Sequence, residues 1–181
     1  MNNKSKKQRL VILQKEKCKQ KERKESIEEY FLKYAFPCAQ VKVRLGSLRK
    51  EDYDKLKETF LAGGCPDREN LEKIFPPAFR RLNKLAEKMK KEVWDFEVLK
   101  EYWEKNHNEV IDEGEGMYGT ASEGFKELCK VHEAEVVEKH KDVLIVKYCG
   151  KQRAVSNFLV PDADVGDKVR IHFAYAIEKV K

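Results

Sequence analysis

From Ser26 onward the apolar residues recur three and four apart. Ile27, Tyr30, Phe31 and Tyr34 mark one face of a helix that Pro37 is expected to end. Next, Val41, Val43 and Leu45 alternate with polar neighbours, which predicts a short half-buried strand in "AQVKVRLG". Ser47 is placed to cap a helix through "LRKEDYDKLKETFLA", which Gly63 and Gly64 would stop. Asp67 can cap "RENLEKIF", and Pro77 suits the first turn of "AFRRLNKLAEKMKKE", where the N–H it lacks would have no partner. Trp94, Val98, Leu99, Tyr102 and Trp103 carry a further helical segment to about His107. Residues 25–111 therefore read as a helical domain with one strand.

Residues 112–128 break this pattern. "DEGEGMYGTASEG" is glycine-rich and has no apolar period, as expected of a linker or a functional loop, and "SEGFKELC" then returns to helix. Beyond it the apolar period drops to two. "EAEVVEKH", "VLIVKY", "KQRAVSNFLV" and a closing "KVRIHFAYAIEKV" read as strands, with turns at Lys141-Asp142 and Gly150. Short strands at this spacing predict a small OB-like β-barrel over residues 129–181. The fold class is α+β, with the N-terminal helical domain followed by the barrel.

Charge changes the picture at one end. The chain carries +6 overall, but residues 1–24 hold ten Lys and Arg against Glu16 and Glu22, so this basic arm is +8 and the remainder is −2. A solvated tail is the plainer reading of the arm. The alternative is a nucleic-acid-binding protein, in which Lys4, Lys6, Lys7 and Arg9 meet phosphates while Tyr148, Phe158, Phe173 and Tyr175 on the barrel stack on bases. The 39% charged content, dominated by Lys and Glu, resembles that of proteins from hot environments.

No run of about 18 apolar residues exists, and the N-terminus lacks an apolar signal region, so a soluble, cytoplasmic protein without membrane contact is expected. In that setting the five cysteines, Cys18, Cys38, Cys65, Cys129 and Cys149, read as reduced thiols, buried or metal-bound. Cys129 and His132 form a C-x-x-H pair that, with Cys149 and His172, offers the donor types of a zinc site. Taken alone, Cys149 reads as a small apolar filler. Cys38 and Cys65 with His107 are a second candidate set, and a redox or metal-dependent enzyme would need those two thiols side by side. "DEGEG" lacks the spacing of an EF-hand loop. With no P-loop, dinucleotide fingerprint, nucleophile elbow or zincin helix, no catalytic residue is assigned.

The C-terminal third holds a more specific pattern: Cys129; "EVVE" at 135–138; Gly150, Arg153 and Val155; "LVPDADVGDKVRIH" at 159–172; and "AIEKV" at 176–180. This stretch resembles the HypC/HupF/HybG-type hydrogenase maturation chaperones, and residues 1–128 lie outside the resemblance. In that family a thiolate and a strand histidine are understood to hold iron bearing diatomic ligands while it passes between a scaffold protein and the hydrogenase large subunit. The resemblance implies Cys129 as the thiolate and His172 as the imidazole, iron bound transiently or zinc as the metal, and a maturation scaffold or large subunit as the partner. The family's cysteine follows the initiator methionine, whereas Cys129 is internal. If both bind one ion, they belong within about 5 Å of each other at one rim of the barrel.

Overall fold

A computed structural model of the protein describes residues 25–180. The basic arm, with Lys4, Lys6, Lys7 and Arg9, lies outside the described residues.

The chain's first described helix, α1, runs over Ile27–Arg44 and begins in a capping box. Ser26 Oγ accepts from the Glu29 N–H, and the Glu29 carboxylate accepts from the Ser26 N–H. Pro37 sits inside α1, and the strand expected at Val41–Leu45 is helical instead. An interior proline costs about 3 kcal/mol. Tertiary burial outweighs it, since Phe31, Leu32, Tyr34, Ala35, Phe36 and Ala39 are all buried, and each large apolar side chain removed from water returns roughly 1.5–3 kcal/mol. Tyr34, Cys38 and Val41 also stand at i, i+4 and i+7, so the residues that alternate as a strand equally continue the helical stripe.

Around α1 pack α2 (Lys50–Leu61), α3 (Arg68–Ile74) and α4 (Pro76–Met89). α2 starts at Arg49 without a side-chain cap, two residues later than a Ser47 cap would place it. Asp67 caps α3 as expected, its carboxylate accepting from the Asn70 N–H at 2.9 Å, and the prolines open α4. The segment after Trp94 is α5 (Phe96–Glu101), a π-helical stretch over Tyr102–Asn106, and α6 (His107–Asp112). A 3₁₀ turn at Gly116–Gly119 and α7 (Glu123–Cys129) lead into the sheet.

Five strands follow: β1 (Val131–Lys139), β2 (Val143–Tyr148), β3 (Lys151–Ser156), β4 (Lys168–His172) and β5 (Tyr175–Lys179). They close on themselves in the order β1-β2-β3-β5-β4, all antiparallel except the short β3–β5 pairing at Ser156 and Tyr175. Val136, Leu144, Val146, Val155, Val169 and Ile171 fill the interior. The single closing strand read from "KVRIHFAYAIEKV" is two strands, divided at Phe173 and Ala174. Phe173 takes the left-handed conformation at φ +51°, and the chain reverses there. His172 therefore stands at the last position of β4, paired with Val131 at the first position of β1.

The helices and the sheet share a core. Val131 and Ile177 belong to the same buried cluster as Phe31, Tyr34, Leu99 and Trp103, with Leu159 and Tyr175 packed against it. Charge adds a second seam. Glu178 on β5 accepts from Lys33 (2.7 Å) and the Tyr34 hydroxyl (2.6 Å) on α1 and from Arg170 on β4 (2.6 Å), and Arg170 also pairs with Glu104 of the π-helical stretch (2.8 Å).

Candidate metal centre

Three chain-distant elements converge at the rim where β4 ends. α1 supplies Cys38, α6 supplies His107 and β4 supplies His172, and one donor atom from each lies within 4.8 Å of the other two. His107 and His172 are 4% and 1% exposed, so both imidazoles are removed from bulk water. Their rings meet edge to face with centroids 5.0 Å apart, and Trp103 packs against both.

Each imidazole is oriented by an oxygen. His172 Nδ1 lies 2.8 Å from the Tyr34 carbonyl, which only accepts, so Nδ1 carries the hydrogen and Nε2 the lone pair. That Nε2 faces the Cys38 sulfur at 3.7 Å. His107 Nδ1 lies 3.5 Å from Asn108 Oδ1, and the same logic leaves its Nε2 free. Asn108 is itself fixed, because its amide donates to the Val131 carbonyl (2.7 Å) and its oxygen accepts from the Val131 N–H (2.8 Å). An asparagine on α6 thus pairs with β1 like a strand residue, at the position whose strand partner is His172.

Burial sets the protonation states. It pulls the His172 pKa down to about 4, against the opposing pull of the Tyr34 carbonyl, and holds His107 well below the ordinary histidine value, with His172 beside it acting in the same direction. Both rings are neutral at pH 7 and able to ligate. Burial pushes the Cys38 thiol up to about 12, reinforced by Cys129 and opposed by Lys42 and Arg81, so without a metal Cys38 is a thiol whose S–H points at an imidazole lone pair.

Cys38 and His107 line a cavity of about 430 Å³ that also receives Tyr118 and Cys129 and reaches solvent beside Arg80 and Met117, both exposed. The glycine-rich segment is one wall of it. Gly116 takes φ +63° as the chain turns into the 3₁₀ segment that presents Tyr118, and Glu115 pairs with Arg80 (2.7 Å) and Arg81 (3.4 Å).

The residues singled out from sequence fare differently. Cys129 is buried against Ile111 and Tyr118 on this same cavity, its thiol pushed up to about 11 by burial and lowered in part by the Tyr118 hydroxyl, and it lies outside the Cys38–His107–His172 group. His132 is taken up by the end of α7, with Nε2 3.2 Å from the Glu127 carbonyl oxygen and its ring against Tyr148. Cys149 is exposed in the β2–β3 turn, where Cys149 and Gly150 take φ +47° and +72°, so it fills no core; a two-residue hairpin turn of this hand leaves its side chain outside. The four-residue set of Cys129, His132, Cys149 and His172 is accordingly not a cluster among the described residues. Cys65 lines a separate shallow pocket beside Glu28 and Glu29, away from the Cys38 cavity.

The aromatics proposed for base stacking are used in packing. Tyr148 is buried inside the sheet, Phe173 packs on the Ile111–Tyr118–Cys129 cluster, and Tyr175 packs edge-on to Phe36; of the four, Phe158 is the exposed one. No helix among the described residues is long and apolar enough to cross a membrane.

A helical half and a closed five-stranded sheet thus bring two neutral imidazoles and a thiol together, with Cys38 and His107 on the cavity wall, a donor set of the kind that suits a borderline metal ion. Residues 132–181 match the model of the HupF/HypC family. They form a segment of the HypC hydrogenase-maturation-chaperone type, and the match includes His172 but begins three residues after Cys129. A comparison with curated proteins returns no match.

Proposed function

We propose that this protein is a HypC-like assembly factor for a metallocentre, in which an OB-like barrel of the HypC type carries iron transiently during hydrogenase maturation. It would act in the cytoplasm with a protein partner, a maturation scaffold or the hydrogenase large subunit. The observation that carries this reading is the position of His172: it lies inside the HypC-type segment, is neutral, and turns its Nε2 toward the Cys38 thiol beside a solvent-reaching cavity. A soft thiolate and an imidazole suit iron, and a site with one side open can release what it holds. In the resembled family the thiolate comes from the start of the chain. Here Cys129 and Cys38 both line the cavity, so a second thiol is available beside the first.

The test is anaerobic purification of the full chain with iron analysis, together with capture of hydrogenase large subunit or scaffold from the same cells. Substoichiometric iron that falls by at least about tenfold in folded His172→Gln, with partner captured by wild type, is the expected result. A wild-type chain that retains no iron and captures neither partner refutes the proposal.

A further inference from the structure

We infer that Cys38, His107 and His172 are the protein ligands of one divalent ion of the iron and zinc class, held with its fourth position open to the cavity. Two of the three ligands then come from the helical half, outside the HypC-type segment. The inference takes the nature of the cargo from the proposed function; the ligand set stands on geometry alone.

Distances support it first. A sulfur at about 2.3 Å and a nitrogen at about 2.05 Å from a tetrahedral ion lie about 3.5 Å apart. Cys38 Sγ and His172 Nε2 already stand at 3.7 Å, and the His107 donor completes a triangle with no edge above 4.8 Å. The Cys38–His172 edge would need to close by only about 0.2 Å, and an edge at the 4.8 Å limit by about 1.3 Å, which side-chain rotation can supply.

Orientation supports it independently. Histidines that bind metals give their second N–H to a carbonyl or amide oxygen, which fixes the tautomer and aims the lone pair. Both imidazoles here have that arrangement, His172 through the Tyr34 carbonyl and His107 through Asn108. The acceptor for His172 belongs to the helix that carries Cys38, one turn before it, so α1 delivers a ligand and orients the partner ligand together. The π-helical stretch ending at Asn106 sets the rotation at which His107 leaves the helix, and single-turn π segments of this kind collect at functional sites.

The open position follows from what is missing around the group. Among the described residues no fourth side-chain donor joins the three, and two of them line the cavity that reaches solvent. Three protein ligands with an open fourth position mark sites that exchange or react, whereas purely structural sites are closed by four. Cys129 lines the same cavity and is the further thiol within it.

Cobalt(II) tests the ligand set on the full-length protein, because its spectrum reports thiolate ligation and coordination number. Wild type should bind one Co²⁺ with a near-ultraviolet thiolate-to-cobalt charge-transfer band, and azide should shift its visible bands by entering the fourth position. Cys38→Ser should abolish the charge-transfer band, His107→Gln should weaken binding by at least about tenfold, and Cys129→Ser should leave the band in place. Should Cys38→Ser fail to fold, protection of Cys38 from alkylation by added Co²⁺ in wild type, read by mass spectrometry, replaces it. A band that survives in Cys38→Ser and disappears in Cys129→Ser, or a folded wild type that binds no Co²⁺, overturns the ligand set; visible bands indifferent to azide overturn the open position. Iron retention and partner capture are scored separately. A wild type that captures its partner but loses no Co²⁺ affinity in the Cys38 and His107 variants leaves the assembly role standing and removes this site, and the opposite pattern does the reverse.

Discussion

Asn108 shows how much one side chain decides. Val131 pairs with His172 on β4 but lies beyond the reach of β2, and Asn108 satisfies both of its backbone groups and brings the neighbouring His107 beside His172. Leaving a buried donor or acceptor unpaired costs about 1–3 kcal/mol. Asn108→Ala should therefore lower stability by roughly 2–4 kcal/mol, as measured by urea denaturation, while Asn83→Ala, which removes only a bond within α4, should cost under about 1 kcal/mol. Glu178 carries a pH dependence. Burial by itself raises its carboxyl, but Lys33, Tyr34 and Arg170 outweigh burial and hold it below the ordinary carboxylate value. The unfolded carboxyl, near pH 4.3, takes up its proton first, so the stability Glu178 contributes is present above that pH and is lost as pH falls through the lower folded value. Unfolding followed by circular dichroism from pH 6 to 3 should show a smaller decline in Glu178→Gln than in wild type.

At the scale of elements, the local signals divide: the cap expected at Ser47 gives way to an uncapped start at Arg49, while others hold. The Asp67 cap and the proline start of α4 depend on groups within three or four residues and behave as their sequence implies. The Ser26 capping box, which the sequence reading did not single out, is equally local, and Ser26→Ala should cost about 1 kcal/mol through its loss, measured as a shift in denaturation midpoint at constant slope. The strand expected at Val41–Leu45 failed because Pro37 is a local breaker overruled by distant packing, with α1 continuing so that its apolar face can meet the π-helical stretch and the sheet. The divided closing strand failed for a related reason. Phe173 pays for a left-handed backbone that its sequence does not announce, and the turn it makes allows β4 and β5 to pair as neighbours. That turn puts His172 at a rim.

For the whole molecule, the shared core ties the HypC-type segment to the helices. A fragment of residues 129–181 would expose Val131, Leu159, Tyr175 and Ile177 and strip His172 of the Tyr34 carbonyl. Such a fragment should show no cooperative thermal transition under conditions where the full chain does, as followed by circular dichroism. Independent folding of the fragment would mean that the contacts across the seam add little to the sheet.

The sequence alone determined the order of helical half and strands, the HypC-type pattern, and His172 as the histidine most worth following, because periodicity, caps and motif spacing are encoded within short stretches. It also contained Cys38 and His107 as possible ligands, but grouped them with Cys65, since nothing along the chain reveals distance. Only the tertiary structure brought residues 38, 107 and 172 within one ion's reach. It did so through an interrupted helix, a strand-like asparagine and a reversal at Phe173, each stabilised by contacts between segments far apart in the chain.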